Sequence, residues 1–144
     1  MPVPVVRSGA NEWFARFSPD GRWIAYVSDE SGRDEVYVQA FPSGATKFAI
    51  STTGGTQPAW RRDGRALYYL SFDNHLMQAD IRVTGSALEA ATTSALFQVP
   101  LYSRGTTQSS TWLFEPNADG SRFIVAKPNQ GSRPSAIDLL IGSQ

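Results

Sequence analysis

Apolar and polar residues alternate along short stretches of the chain, and each stretch ends at a turn sequence. In residues 35–41, valine and alanine at every second position alternate with glutamate, tyrosine and glutamine. A period of two is typical of strands that bury one face, because successive side chains of a strand point to opposite sides. Similar short runs lie at residues 13–17, 23–28 and 47–50. The pattern therefore predicts four consecutive strands.

The same order of elements recurs in the rest of the chain. The second set of predicted strands lies at 58–60, 66–71, 75–83 and 96–101, and the third at 111–115, 122–127 and 136–141. Within the second set, residues 84–94 predict the longest loop, with residues 87–91 as a short helical turn. Residues 3–7 resemble the last strand of the first set, and they predict the strand that completes a preceding unit.

An Asp-Gly pair separates the first two strands of each unit. The pairs are Asp20 with Gly21, Asp63 with Gly64, and Asp119 with Gly120. Asp-Gly between two strands is a strong hairpin signal, because glycine accepts a positive φ and aspartate bonds to its own turn. The first two pairs are 43 residues apart and the last two are 56 apart, whereas a four-stranded propeller blade takes about 40–45 residues. The repeat predicts an all-β fold of about three β-propeller blades, in which these aspartates are turn residues and not catalytic groups.

The predicted domain organisation is one partial propeller over the whole chain. Its parts are a blade-completing strand at 3–7, blades at 11–50 and 56–101, and an incomplete blade at 109–141. Propellers typically close with 4–8 blades, so three blades leave an open arc. One solution is a longer natural chain. The other is a homodimer that closes a six-bladed ring when strand 3–7 of one copy adds to residues 136–141 of its partner.

Two segments carry a family resemblance. Residues 17–28 resemble the blade signature of TolB-like propellers, which belong to a wider WD-repeat-like group. Similar blades occur in prolyl-oligopeptidase-type peptidases and in the C-terminal sensor regions of bacterial membrane serine/threonine kinases, and residues 54–64 are most similar to the kinase-associated version. The resemblance implies a recognition or scaffolding module from a larger bacterial protein, located in the periplasm or outside the cell.

Composition excludes several classes of function. Lysine plus arginine and aspartate plus glutamate both number 13, so the chain lacks the basic excess that nucleic acid or an anionic membrane attracts. There is no cysteine, and no apolar run is long enough for a membrane-spanning helix. Kinase motifs and the Gly-x-Ser-x-Gly motif of serine hydrolases are also absent from the sequence. We therefore predict no enzymatic activity, no cofactor and no metal.

The candidate ligand-binding residues precede the innermost strands, where propeller linkers surround the mouth of the central channel. They are Asn11, Glu12, Trp13, Thr56, Gln57, Gln108, Ser109 and Trp112. Polar groups around a concave opening are typical of binding sites. Ordinary polar loops are the favoured interpretation of these positions, and a ligand-binding site is the alternative.

Two further clusters have structural and chemical interpretations. Acidic residues at 29–35 surround Gly32 and predict a solvated hairpin loop, with a calcium site as the alternative. His75 is the only histidine, and the sequence implies no serine or aspartate oriented toward it. We interpret His75 as a surface or strand-start residue.

The function predicted from the sequence is non-catalytic recognition or scaffolding of a protein, peptide or small ligand. Two alternatives stay open. In the first alternative, the chain is the propeller part of a prolyl-oligopeptidase-type peptidase. In the second, it is a half-propeller whose only role is self-assembly.

Overall fold

The described part of the chain is entirely β-structure. The computed structural model describes residues 4, 6, 8–99, 113–127 and 136–141, with Lys127 and residues 136–141 as backbone alone. Its eleven strands form three antiparallel sheets, and these residues contain no helix that could cross a membrane. The all-β prediction is confirmed.

The first sheet contains the four strands that the sequence predicts, with bounds that agree to within one residue. It contains β1 (Glu12–Phe17), β2 (Trp23–Ser28), β3 (Glu35–Ala40) and β4 (Lys47–Ala49), in that spatial order. Every residue of β2 is buried, because each of its two faces packs against other groups. Short hairpins join the four strands, as in one propeller blade.

The second sheet repeats this order and differs from the sequence prediction at its outer edge. It contains β5 (Thr56–Trp60), β6 (Ala66–Leu70), β7 (His75–Thr84) and β8 (Ala87–Gln98).

The predicted loop at 84–94, with a helical turn at 87–91, is wrong. These residues instead form most of β8, which pairs with β7 directly after Gly85 and Ser86. Gly85 has a φ of 62°, as a tight hairpin turn requires. Leu88 is buried while its neighbours on both sides are exposed, so strand pairing with one buried face prevails over the helix propensity of the alanines.

The third sheet contains β9 (Phe114–Pro116), β10 (Arg122–Lys127) and β11 (Ala136–Ile141), with β10 in the centre. Among the described residues, β11 has a neighbour on one side only. The predicted exchange would add strand 3–7 of a partner at this free edge. Most of 3–7 lies outside the described residues, and both the exchange and the six-bladed ring stay predictions.

Two separate hydrophobic cores hold the sheets together. Odd-numbered residues of β2, such as Ala25 and Val27, pack against Leu67 and Tyr69 of β6 in the first core. The opposite face of β6, with Tyr68, packs in the second core against the third sheet, where the rings of Tyr68 and Phe123 are 4.9 Å apart. The middle sheet is therefore buried on both faces.

The three Asp-Gly turns share one geometry. Gly21, Gly64 and Gly120 have φ values of 70°, 73° and 73°. In each turn the aspartate accepts a hydrogen bond from the backbone N–H two residues later, at 3.0 Å for Asp20, 2.9 Å for Asp63 and 2.9 Å for Asp119. The hydrogen bonds lower the pKa of all three carboxyl groups, mainly through the side chains of Ser18, Arg61 and Ser121 respectively.

These turns are expected to make the protein sensitive to acid. A carboxyl group whose pKa is lowered by folding stabilises the protein above its unfolded pKa of about 4, and that stabilisation is lost as the pH falls through the folded pKa. Asp63→Ser keeps a hydroxyl acceptor for the turn but removes the charge. Urea unfolding at about pH 6 and pH 3 should therefore show a smaller acid-induced loss in this variant than in the wild type. Asp80→Ser, at an exposed position outside the turns, is the control, and an equal change in both variants would contradict the assignment.

Candidate functional site

The structure describes five of the eight residues predicted to line the channel mouth. Asn11, Glu12, Trp13, Thr56 and Gln57 lie at or beside the starts of β1 and β5, and these two strands contact each other. Gln108, Ser109 and Trp112 lie outside the described residues. The role of all eight as ligand contacts stays a prediction.

Asn11 makes hydrogen bonds within the chain. Its backbone N–H and its side-chain amide donate to the two carboxylate oxygens of Asp29, at 2.9 and 2.8 Å. These hydrogen bonds lower the pKa of Asp29 and tie the start of β1 to the end of β2. Glu12 accepts a hydrogen bond from the Ser8 hydroxyl. Both side chains thus have partners within the chain.

Gln57 joins the second sheet to the third. Its side chain is buried, and its Oε1 accepts a hydrogen bond from the backbone N–H of Leu113 at 2.8 Å. Gln57 has a φ of 55°, and Phe14, at the equivalent position 43 residues earlier, has a φ of 54°. Each residue lies where the register of its innermost strand shifts. The sequence did not predict these bulges, because neither residue is the glycine or asparagine that usually marks a positive φ.

Glu35 is buried and does not belong to a solvated loop, so that part of the acidic-loop prediction is wrong. Its carboxylate accepts hydrogen bonds from Arg33 Nε at 2.8 Å, from the Ser51 hydroxyl, and from the Gly54 N–H at 3.0 and 3.1 Å. Burial, together with the charges of Asp29 and Glu35, raises the pKa of the neighbouring Asp34. Within the described ranges, no group of three acidic or histidine side chains could hold a metal ion.

His75 has an acidic partner that the sequence analysis did not expect. Its Nδ1 lies 3.2 Å from Asp73 Oδ2, and the Ser71 hydroxyl donates to the other oxygen of Asp73. A serine hydrolase needs its serine hydroxyl bonded to the imidazole. Ser71 instead hydrogen-bonds to Asp73 and to the backbone of His75. These three residues therefore form a hydrogen-bonded turn and not a catalytic triad.

A groove of about 840 Å³ lies between the first two sheets, at the end where the Asp-Gly turns are found. Three segments line it, namely the turn after β1, the turn after β5 and the last residues of β7. Four arginines contribute to its wall: Arg22, Arg62, Arg65 and Arg82. With Asp20 and Asp63 as its only acidic residues, the groove carries two net positive charges on a chain whose formal net charge is zero.

Some charged side chains of the groove already have hydrogen-bond partners within the chain, and others do not. Asp20 and Asp63 each accept hydrogen bonds within their own turns. The Arg22 guanidinium donates to the backbone oxygen of Gly85 at 2.7 Å, which joins the two sheets across the groove. Among the residues that the structure describes, Arg62 and Arg82 make no side-chain hydrogen bond or ion pair, and the side chain of Arg65 interacts with Asp63 through its charge alone. Their guanidinium groups are therefore available to a ligand.

The groove also has an apolar side. Trp23, Trp60 and Ile81 line it together with Val83, which is 41% exposed. The indole N–H of Trp60 donates to the backbone oxygen of Arg16 at 3.2 Å, so its ring is fixed between the sheets. The arrangement can hold a ligand that has both acidic and apolar groups.

One feature of the sequence is a signal for this groove. Asp-Gly-Arg occurs in both of the first two turns, at 20–22 and 63–65, whereas the third turn has serine at the same position. An arginine at the equivalent position of two adjacent blades places two positive charges at the same end of neighbouring sheets. The contribution of Arg82 could not be predicted, because the β7–β8 hairpin was itself missed.

Comparison with known proteins identifies the fold. The family model for "Prolyl oligopeptidase, N-terminal beta-propeller domain" matches residues 12–130. An uncharacterised protein of Agrobacterium fabrum is 27% identical over 116 residues, which are 77% of this chain and 38% of that protein. The chain thus spans well under half of this curated relative.

Two solved structures are similar at low sequence identity. An oligogalacturonate lyase from Vibrio parahaemolyticus is 13% identical with a TM-score of 0.56, and the match covers 84% of this chain and 31% of the lyase. TolB from Acinetobacter baumannii is 17% identical with a TM-score of 0.50, and the match covers 96% of this chain and 45% of TolB. At this identity both likenesses show the fold alone, and they confirm the prediction of TolB-like propeller blades.

The lyase corrects one prediction. The fold and the missing motifs predicted a chain without enzymatic activity. That conclusion is wrong, because an enzyme, the oligogalacturonate lyase, has the same fold. The absence of kinase and hydrolase motifs excludes those two chemistries from the sequence and says nothing about others.

Proposed function

Because the chain belongs to the family of prolyl oligopeptidase N-terminal β-propeller domains, we propose that it is a propeller segment of a larger protein and serves as its recognition module. The ligand is held in the groove between the first two sheets. Propeller families use their loops and turns to bind, while the sheets keep these segments in fixed positions.

One observation carries this proposal. In the groove, Arg62 and Arg82 have no hydrogen-bonded or ion-paired partner among the described residues, and they line it together with a half-exposed Val83. The residues predicted at the channel mouth offer less, since Asn11 and Gln57 are bonded within the chain. A site with unused donors and exposed apolar surface gains more from a ligand than one whose polar groups are already satisfied.

A thermal-shift screen with peptides and small metabolites tests the proposal. Binding to the native state raises the melting temperature by mass action. Val83→Trp fills the groove, and Thr93→Trp places the same side chain at an exposed position of β8 outside it. We expect hits whose stabilising shift is lost in Val83→Trp and kept in Thr93→Trp. Hits that stabilise both variants equally would locate recognition elsewhere.

A second candidate function is the support of a peptidase domain on another segment of the same protein, and the description of the matched family favours it. The kinase-associated origin is a third. The parent reading frame distinguishes them, because a following α/β-hydrolase domain supports the peptidase and a preceding kinase domain with a membrane helix supports the sensor.

A further inference from the structure

We infer that the ligand of this groove is a short acidic peptide segment, with two carboxylates flanking an apolar side chain. The inference rests on the proposed function, because it names the ligand class for the same groove.

Charge is the first argument. The groove concentrates four of the chain's arginines against two aspartates. The aspartates stay ionised, because turn hydrogen bonds lower the pKa of both. A ligand with two negative charges neutralises the net charge of the groove, and low salt strengthens its binding.

The state of the arginines is the second argument. A guanidinium presents donors in a planar fork that matches a carboxylate with two parallel hydrogen bonds. Arg62, Arg65 and Arg82 come from two different segments, the turn after β5 and the end of β7. Two carboxylates on one ligand can therefore engage both segments.

Apolar surface is the third argument, and it favours a peptide over an inorganic anion. Val83 is one of three large hydrophobic residues with high exposure among the described residues, and it lies in the groove beside Trp60 and Ile81. A phosphate ion leaves this surface uncovered. A volume of about 840 Å³ is of the size of sites that enclose drug-sized ligands, and a peptide of a few residues supplies acidic and apolar groups together.

Nuclear magnetic resonance titration tests the inference with three probes. They are acetyl-Asp-Leu-Glu-amide, its neutral isostere acetyl-Asn-Leu-Gln-amide, and inorganic phosphate. The arginine Nε–H signals and the indole N–H signals of Trp23 and Trp60 report on the groove. We expect the acidic peptide to shift these signals saturably, with at least about tenfold tighter binding than the isostere.

Two variants locate the effect. Arg65→Gln should weaken the acidic peptide by about tenfold. Arg122→Gln, an exposed arginine of the third sheet that does not line the groove, should leave its binding unchanged. Correct folding of both variants is checked by the dispersion of their amide spectra.

The outcomes separate this inference from the proposed function. If the neutral isostere binds as tightly as the acidic peptide and shifts the same signals, recognition in the groove stands and the acidic class is overturned. If phosphate alone shifts the groove signals as much as the acidic peptide does, the leucine contributes nothing to binding. The peptide class is then overturned, and the groove is a general anion site. Shifts confined to residues outside the groove for every probe overturn both proposals.

Discussion

Gly54→Ala is expected to destabilise the protein by about 3 kcal/mol. Gly54 has a φ of 99°, a conformation that a residue with a Cβ adopts only with strain. A methyl group at this position would also lie 2.4 Å from Cδ2 of the Phe72 ring, well inside van der Waals contact. Either the ring or the backbone must move, and backbone movement weakens the hydrogen bonds from the Gly54 N–H to Glu35.

Gly85→Ala is the matched control for this prediction. Gly85 also has a positive φ, 62°, but a Cβ built on it meets no atom within 4 Å. Its replacement should therefore cost only the backbone strain, about 1 kcal/mol. Urea unfolding followed by tryptophan fluorescence measures both variants. Equal losses of stability would mean that the contact with Phe72 relaxes without cost.

Glu35→Ala is expected to cost about 3 kcal/mol, a loss similar in size to that of Gly54→Ala. The substitution leaves the Ser51 hydroxyl and the Gly54 N–H without the buried carboxylate that accepts from both. Glu35→Gln keeps the shape of the side chain but places amide hydrogens against these donors. It should therefore destabilise the protein, but by less than Glu35→Ala does.

Glu30→Ala is the control for the charge. Glu30 pairs with Lys47 Nζ at 2.6 Å, but both side chains are partly exposed, and such pairs contribute about 1 kcal/mol or less. The double variant of Glu35 and Gly54 adds a further check. Because both positions share one hydrogen-bonded contact, their effects should fall short of additivity by about 1 kcal/mol or more. Additive losses would show that the two residues act independently.

The regular part of the fold could be predicted from the sequence for physical reasons. In β3 valine alternates with glutamate, tyrosine and glutamine, β2 is a nearly continuous apolar run, and Asp20 with Gly21 allows few structures other than a hairpin. These signals act between neighbours in the chain. In β8 the local signal was misleading, because residues 87–91 favour a helix, and only pairing with β7 decides their conformation.

The candidate site depends on contacts between distant residues, and this is why the sequence did not predict it. Glu35 follows the charged residues Arg33 and Asp34 at the start of β3, and its carboxylate accepts from Gly54, 19 residues later. The groove brings Arg22 together with Arg65 and Arg82 through the packing of two sheets. No pattern within a single strand specifies that packing.

The separation of the two cores has a consequence for how such a chain unfolds and how it lengthens. In the described residues, the first and third sheets share no hydrophobic core. The middle sheet packs against both, and the outer two are joined directly by the partly exposed ion pair of Arg16 with Glu115, at 3.6 Å. Stability is then a sum of nearest-neighbour terms, so either outer sheet can fray first while the remaining pair stays intact. A chain of this kind can grow by copying one unit of 43 residues, because each copy brings the two faces by which it joins its neighbours.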